Sequence, residues 1–137
     1  MPKFDFFCIN ALKDYIYNSN IHDSEMVSLC YDKKARTLQI ETINPIFKVT
    51  NTFVFEDVKI FLSLNSDKYP NPTTILSLSV ENDFSFLKNS EIVCENCFDN
   101  TLYLLFQCLS GDELHVVAKR VFISTEQLKV EFRLCHE

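Results

Sequence analysis

The chain of 137 residues reads as mainly β, with α+β only at the margin. The expected form is an antiparallel sheet or sandwich of about eight strands and one short N-terminal helix. Two observations carry this expectation. From Ser24 onward, apolar residues recur at every second position in runs of five to ten residues, the period of a half-buried strand. The links between runs are short and polar, and no βα alternation interrupts them, which favours antiparallel neighbours. The length predicts one domain spanning residues 1–137.

The helix is expected over Asn10–Ser19, where Leu12, Tyr15 and Ile16 fall on one helical face. "MVSLCYD" then sets Val27, Leu29 and Tyr31 on one face, "DKKAR" turns, and "TLQIET" alternates Leu38 and Ile40 with Gln39 and Glu41. Together they read as a hairpin. Asn44-Pro45 marks the next turn. "FKVTNTFVFE" predicts a strand with Phe47, Val49, Phe53 and Phe55 together, and "VKIFLSL" another with Val58, Ile60, Leu62 and Leu64 together.

"NSDKYPNP" (65–72) is a loop, and "TTILSLSVE" a strand. "DFSFLKNSEIVCENC" reads as a loop with a short helix or an irregular edge strand. "TLYLLFQCLSGDELHVVAKRVFI" is a second hairpin whose turn holds Gly111, the one glycine of the chain. "LKVEFRLCH" predicts a last strand, with Leu128, Val130, Phe132 and Leu134 on one face.

Composition excludes several functions. One glycine rules out glycine-rich phosphate loops, dinucleotide fingerprints and nucleophile elbows, each of which needs at least two. The net charge of −6 is uneven: residues 1–72 carry eight Lys/Arg against nine Asp/Glu, and residues 73–137 carry five against ten. Nucleic-acid affinity rests on basic groups facing phosphate, so no nucleic-acid partner is expected, nor an anionic membrane. The acidic segment containing Glu81, Asp83, Glu91, Glu95 and Asp99 would instead attract a basic protein and speed its encounter. No secretory signal is read at the N-terminus and no run reaches 18 apolar residues, which predicts a cytoplasmic protein with reduced thiols.

Candidate chemistry is sparse. His22 and Asp23 are adjacent and Glu25 follows. In a polar cleft this trio could bind a small ligand or support hydrolysis. As scaffold, Asp23 would cap backbone N–H groups and His22 would bond across to the next layer, latching the start of a strand. The latch is the expected role. Cys94-Glu95-Asn96-Cys97 is half of a zinc site without its second half, so no metal or other cofactor is expected. Asp57-Val58-Lys59, with Glu41 as second carboxylate, matches a metal-nuclease pattern only in its shortest form. His115 falls on a strand of the second hairpin, where "HVVAK" offers no partner, and reads as structural. No catalytic residues are assigned, and the protein is not expected to be an enzyme. Unpaired β edges would also permit a homo-oligomer or self-associating module.

Ile21-His22-Asp23-Ser24, the later Phe53-Val54-Phe55 and Val58, and "SGDELHVVAKRVFI" resemble small bacterial β-rich domains that open on an "HDS" motif. The resemblance covers 21–62 and 110–123. Some of those domains are immunity proteins of polymorphic toxin systems. The resemblance implies a cytosolic protein that binds and blocks a cognate toxin, and it carries no catalytic residues.

Overall fold

A computed structural model describes residues 2–64, 74–89 and 98–127. Among them, seven antiparallel strands form one sheet around a short N-terminal helix. The strands are β1 (Lys3–Asp5), β2 (Glu25–Asp32), β3 (Thr37–Asn44), β4 (Val49–Leu64), β5 (Ile75–Glu81), β6 (Leu102–Cys108) and β7 (Glu113–Gln127). The helices are α1 (Ile9–Tyr17), entered through a 3₁₀ turn at Phe6–Cys8, and α2 (Ser85–Asn89). The expected helix is therefore present, one residue earlier at its start and two at its end. The expected last strand from Leu128 lies outside the described residues.

The order β2-β3-β4-β7-β6-β5 consists of two three-stranded meanders laid side by side along the β4/β7 seam. Beyond Ala118, where β6 ends its pairing, β1 takes over the free side of β7. The sheet curls until its end strands touch. Glu25 of β2 bridges Thr74 just before β5, the Ile75 N–H donates to the Ser24 carbonyl at 2.8 Å, and the Asp23 N–H donates to the Ile75 carbonyl at 2.9 Å. One curled sheet, not a two-sheet sandwich, encloses the core.

The concave face carries Leu38 and Ile40 of β3, Phe53, Phe55 and Val58 of β4, Leu102, Leu104 and Phe106 of β6, and Val116, Val121 and Ile123 of β7, all packed on Leu12 and Ile16 of α1. Phe106 meets Phe53 edge-on at 5.6 Å between centroids. A smaller cluster on the convex face joins Ile60, Tyr103 and Val117 to Leu87 of α2.

Three expectations need correction. The two runs flanking Glu56 are one 16-residue strand, β4. Within it Val58 faces the main core while Ile60 and Leu62 join the convex cluster. The cause is local: Asp57 is left-handed (φ 53°) and the register slips between Val58 and Ile60, so the period of two changes phase. Phe47 is not in a strand but in the β3–β4 turn, exposed to solvent. In β2, a bulge at Val27 breaks the face shared with Leu29 and Tyr31, and all three are exposed.

With one glycine in the chain, other residues take the left-handed turn positions. Six do so among those described: Asn20, Asp23, Arg36, Lys48, Asp57 and Asn100. Four of the six are Asn or Asp, whose short polar side chains tolerate this region best. Gly111 (φ 97°) closes the β6–β7 hairpin as expected.

Candidate binding groove

A groove of about 380 Å³ opens beside the C-terminal end of α1. Ile16, Ile21 and Leu78 form its apolar base. Tyr17 and the 20–23 turn line one side, and Ile46 and Phe47 of the β3–β4 turn line the other. Tyr17, Ile46 and Phe47 are 88 %, 72 % and 58 % exposed. Bulky apolar side chains left in water around one concavity make this groove the candidate site.

Asn44 fixes both walls. It is fully buried. Its side-chain N–H₂ donates to the carbonyls of Asn20 (2.9 Å) and His22 (3.2 Å). Its Oδ1 accepts from the backbone N–H groups of Ile46 and Phe47, each at 3.0 Å. Both donors of the amide are used, and its oxygen accepts twice, which is the full capacity of the group. The Gln127 side chain donates to the Phe47 carbonyl at 3.0 Å. Asn51 supports the same wall from beneath, donating to the Ser19 carbonyl at 2.9 Å while its Oδ1 accepts from Thr125 at 2.6 Å. The exposed side chains thus stand on backbone held from within the fold.

His22 and Asp23 line this groove, and Glu25 does not. Their side chains pair with each other, Nδ1 to Oδ2 at 3.1 Å, and are well exposed. The layer-to-layer bond expected of the His22 ring is made instead by its backbone carbonyl. The latch at this strand start is built from main chain: the Asp23, Ser24 and Glu25 backbones that reach β5, and the buried Ser24 hydroxyl donating to the Asn20 carbonyl at 2.8 Å.

The acidic candidates divide. Glu81 ends β5 opposite Tyr103 and accepts from Ser79 Oγ at 2.7 Å. Asp83 caps the start of α2, accepting from the Ser85 N–H (2.9 Å) and hydroxyl (2.6 Å), and these bonds hold its carboxyl below the usual range. The Asp99 side chain is exposed, and its backbone carbonyl accepts from Lys119 at 2.7 Å. Glu91 and Glu95, with Cys94 and Cys97, lie outside the described residues.

His115 does have partners, supplied by the register. On the convex face its Nδ1 lies 2.5 Å from Tyr103 Oη and its Nε2 lies 3.2 Å from Glu113 Oε1. Phe86 of α2 stacks on the ring at 5.1 Å. Burial, then the charges of Glu81, Glu113 and Asp83, push the Tyr103 phenol up to about 12. The phenol therefore keeps its proton at neutral pH, and its oxygen and the Glu113 carboxylate sit against the two ring nitrogens of His115.

Asp57 is paired with Arg36 (3.0 Å) and Lys59 (3.1 Å). Glu41 stands opposite Thr52, five residues back along β4 from Asp57 and so roughly 17 Å away at strand spacing. The two carboxylates do not share a site. Among the described residues, no group of three or more His, Cys, Asp or Glu is gathered closely enough to hold a metal ion. No helix among the described residues is long and apolar enough to cross a membrane.

Sequence reasoning reached His22 and Asp23 but missed Tyr17, Asn44, Ile46 and Phe47. The available signal was the Asn-Pro turn itself: an Asn before Pro folds its side chain back on the following N–H groups, which forces the next residues outward.

No protein-family model matches this chain, and no curated protein does either.

Proposed function

We propose that this protein is a non-catalytic protein-binding domain that seats its partner on the Tyr17–Ile46–Phe47 groove. The observation that carries this reading is Asn44, whose buried amide locks both rims while the rim side chains remain in water. Ordering loops and side chains is a main cost of association, and a preformed apolar rim avoids much of it. Exposed aromatic and aliphatic anchors around a concavity are also the usual source of binding energy at protein interfaces.

The net charge of −6 favours a basic partner. The resemblance of 21–62 and 110–123 to small bacterial "HDS" domains, some of them immunity proteins, favours a toxin, bound and blocked in the cytoplasm. Acidic Glu81, Asp83 and Asp99 would steer the encounter, and the apolar groove would hold the complex.

The test is an affinity capture from the source cell's lysate at low and moderate salt. The baits are the wild-type chain and an Ile46→Ser/Phe47→Ser variant. Both positions are exposed, so the variant should melt with the wild type. One stoichiometric basic protein, captured by the wild type and lost from the variant, is the expected result. Equal capture by both baits, or no stoichiometric partner, counts against the reading.

A second reading keeps the groove and changes the occupant. Its volume lies within the range of small-molecule sites, and His22–Asp23 place a polar pair on an otherwise apolar lining. A small ligand would perturb the His22 ring signals in NMR without any protein partner present.

A further inference from the structure

Strand β2 leaves the apolar side of the sheet unfinished. Leu29 pairs with Ile40 and Tyr31 with Leu38, and both β3 partners are fully buried in the main core. Leu29 and Tyr31 continue that face outward, with Tyr31 packed on Phe61 at 5.1 Å. Yet they remain 43 % and 38 % exposed. Among the described residues, the outer edge of β2 meets another strand only at the Glu25–Thr74 bridge. Natural edges are usually guarded by a Lys or Pro within the strand, by a bulge, or by a cover. Among the described residues none of these guards the edge from Ser28 to Tyr31, the bulge lying just before it at Val27.

We infer that β2 pairs antiparallel with β2 of a second copy of this chain, about a two-fold axis through Cys30. Three considerations select this occupant and register. The strand is polarised: Glu25 stands at its start and Lys33-Lys34 follow its end, all exposed. An antiparallel copy brings each Glu25 toward the other copy's lysines, whereas a parallel copy would set like charges side by side. Next, apolar side chains must fall on one side of the joined sheet, which restricts pairing to registers that keep the period of two. Finally, the bulge at Val27 leaves Ser28–Asp32 as the regular stretch. Centring on Cys30 uses that stretch in full. It sets Leu29 against Tyr31 twice, an aliphatic–aromatic cross-strand pair, and Asp32 against Ser28.

The arrangement is isologous, as a two-fold dimer requires. It also sets the exposed Cys30 thiols opposite each other, with Cα atoms roughly 4.5–5.5 Å apart.

Two measurements on the full chain test this inference. Sedimentation equilibrium over a concentration series is run for the wild type and for Leu29→Lys. Treatment with a short bis-maleimide, followed by peptide mapping, shows which thiols lie together in the wild type. The expected results are a reversible dimer, a dissociation constant raised at least about tenfold by Leu29→Lys, and a Cys30–Cys30 cross-link. A monomer at the highest concentration reached overturns the inference. So does a dimer that Leu29→Lys leaves intact, or one without the Cys30–Cys30 link. The cross-link is read on the wild type, so it stands even if the variant folds poorly. Ile46→Ser/Phe47→Ser alters a different surface and should dimerise normally, which separates this result from failure of the groove.

Discussion

Tyr103 and His115 lie on neighbouring strands, diagonal on one face and two residues out of direct register, with the phenol oxygen 2.5 Å from the imidazole Nδ1. Both residues are buried. Removing the hydroxyl in Tyr103→Phe leaves Nδ1 without its partner in a buried site, and should cost about 1–3 kcal/mol of stability at pH 7. Urea unfolding of the two proteins measures it. The phenol also predicts a pH dependence. Its folded value is raised to about 12 from the ordinary 10.0, so the folded state holds this proton longer than the unfolded chain. The phenol's contribution is constant below pH 10 and falls by about 2 kcal/mol as the pH rises to 12. Tyr103→Phe should lack that alkaline component.

Asn44→Ala removes four hydrogen bonds at once. The carbonyls of Asn20 and His22 and the N–H groups of Ile46 and Phe47 then have to find water or strain toward it. A loss of about 2–4 kcal/mol is expected. Amide exchange at Ile46 and Phe47 should quicken by more than the global loss explains, because the turn opens locally. Unchanged exchange there would mean that Asn44 does not organise the groove.

Asp57 should contribute to acid sensitivity. Burial works to raise its carboxyl. The hydrogen bond and charge of Lys59, with the charges of Arg36 and Arg120, outweigh burial and hold it below its ordinary 3.8. A carboxyl depressed in the folded state stabilises above its unfolded value, and that contribution is lost as pH falls through the folded one. Asp57→Asn keeps the left-handed backbone, which Asn accepts. It should lower stability at pH 7 by about 1 kcal/mol and flatten the stability curve below pH 4. An unaltered acid limb in denaturant titrations at pH 2–7 would contradict this.

Lys48 holds a left-handed conformation (φ 58°) at the end of the β3–β4 turn, where glycine would be free of strain. Lys48→Gly should relieve about 1–2 kcal/mol of backbone strain against a smaller entropic cost in the unfolded chain. A rise in melting temperature is expected, and a fall would show that the Lys48 side chain contributes more than its backbone costs.

The strands were legible wherever period and face agreed. Leu38 and Ile40 in β3, and the β6–β7 hairpin with Gly111 at its turn, occupy the places their alternation assigns. The alternation failed as a guide at Asp57, because a left-handed residue and a bulge change which positions face inward, and the residue pattern alone does not mark either. It failed differently in β2. Period identifies a face but not a position in the sheet, and an edge strand leaves its apolar side partly in water. The groove was half legible. The His22-Asp23 pair lies on its lining, but Tyr17 and Ile46 carried no signal of their own, and Phe47 was assigned to a strand face, because the Asn44 side chain that turns the backbone outward leaves the apolar pattern unchanged.

The β4/β7 seam carries a kinetic consequence. Within each meander the paired strands close smaller loops than the seam does, the largest being the β5–β6 connection that runs through α2. The seam joins Leu64 to Glu113 at one end and Val49 to Gln127 at the other, separations of 49 and 78 residues. Closing loops of that size before any seam contact can repay them slows folding. Refolding should therefore fall in the millisecond-to-second range of β-rich topologies. Until the seam zips, the two longest strands each present an open side, and newly made chains are most vulnerable to aggregation during that interval.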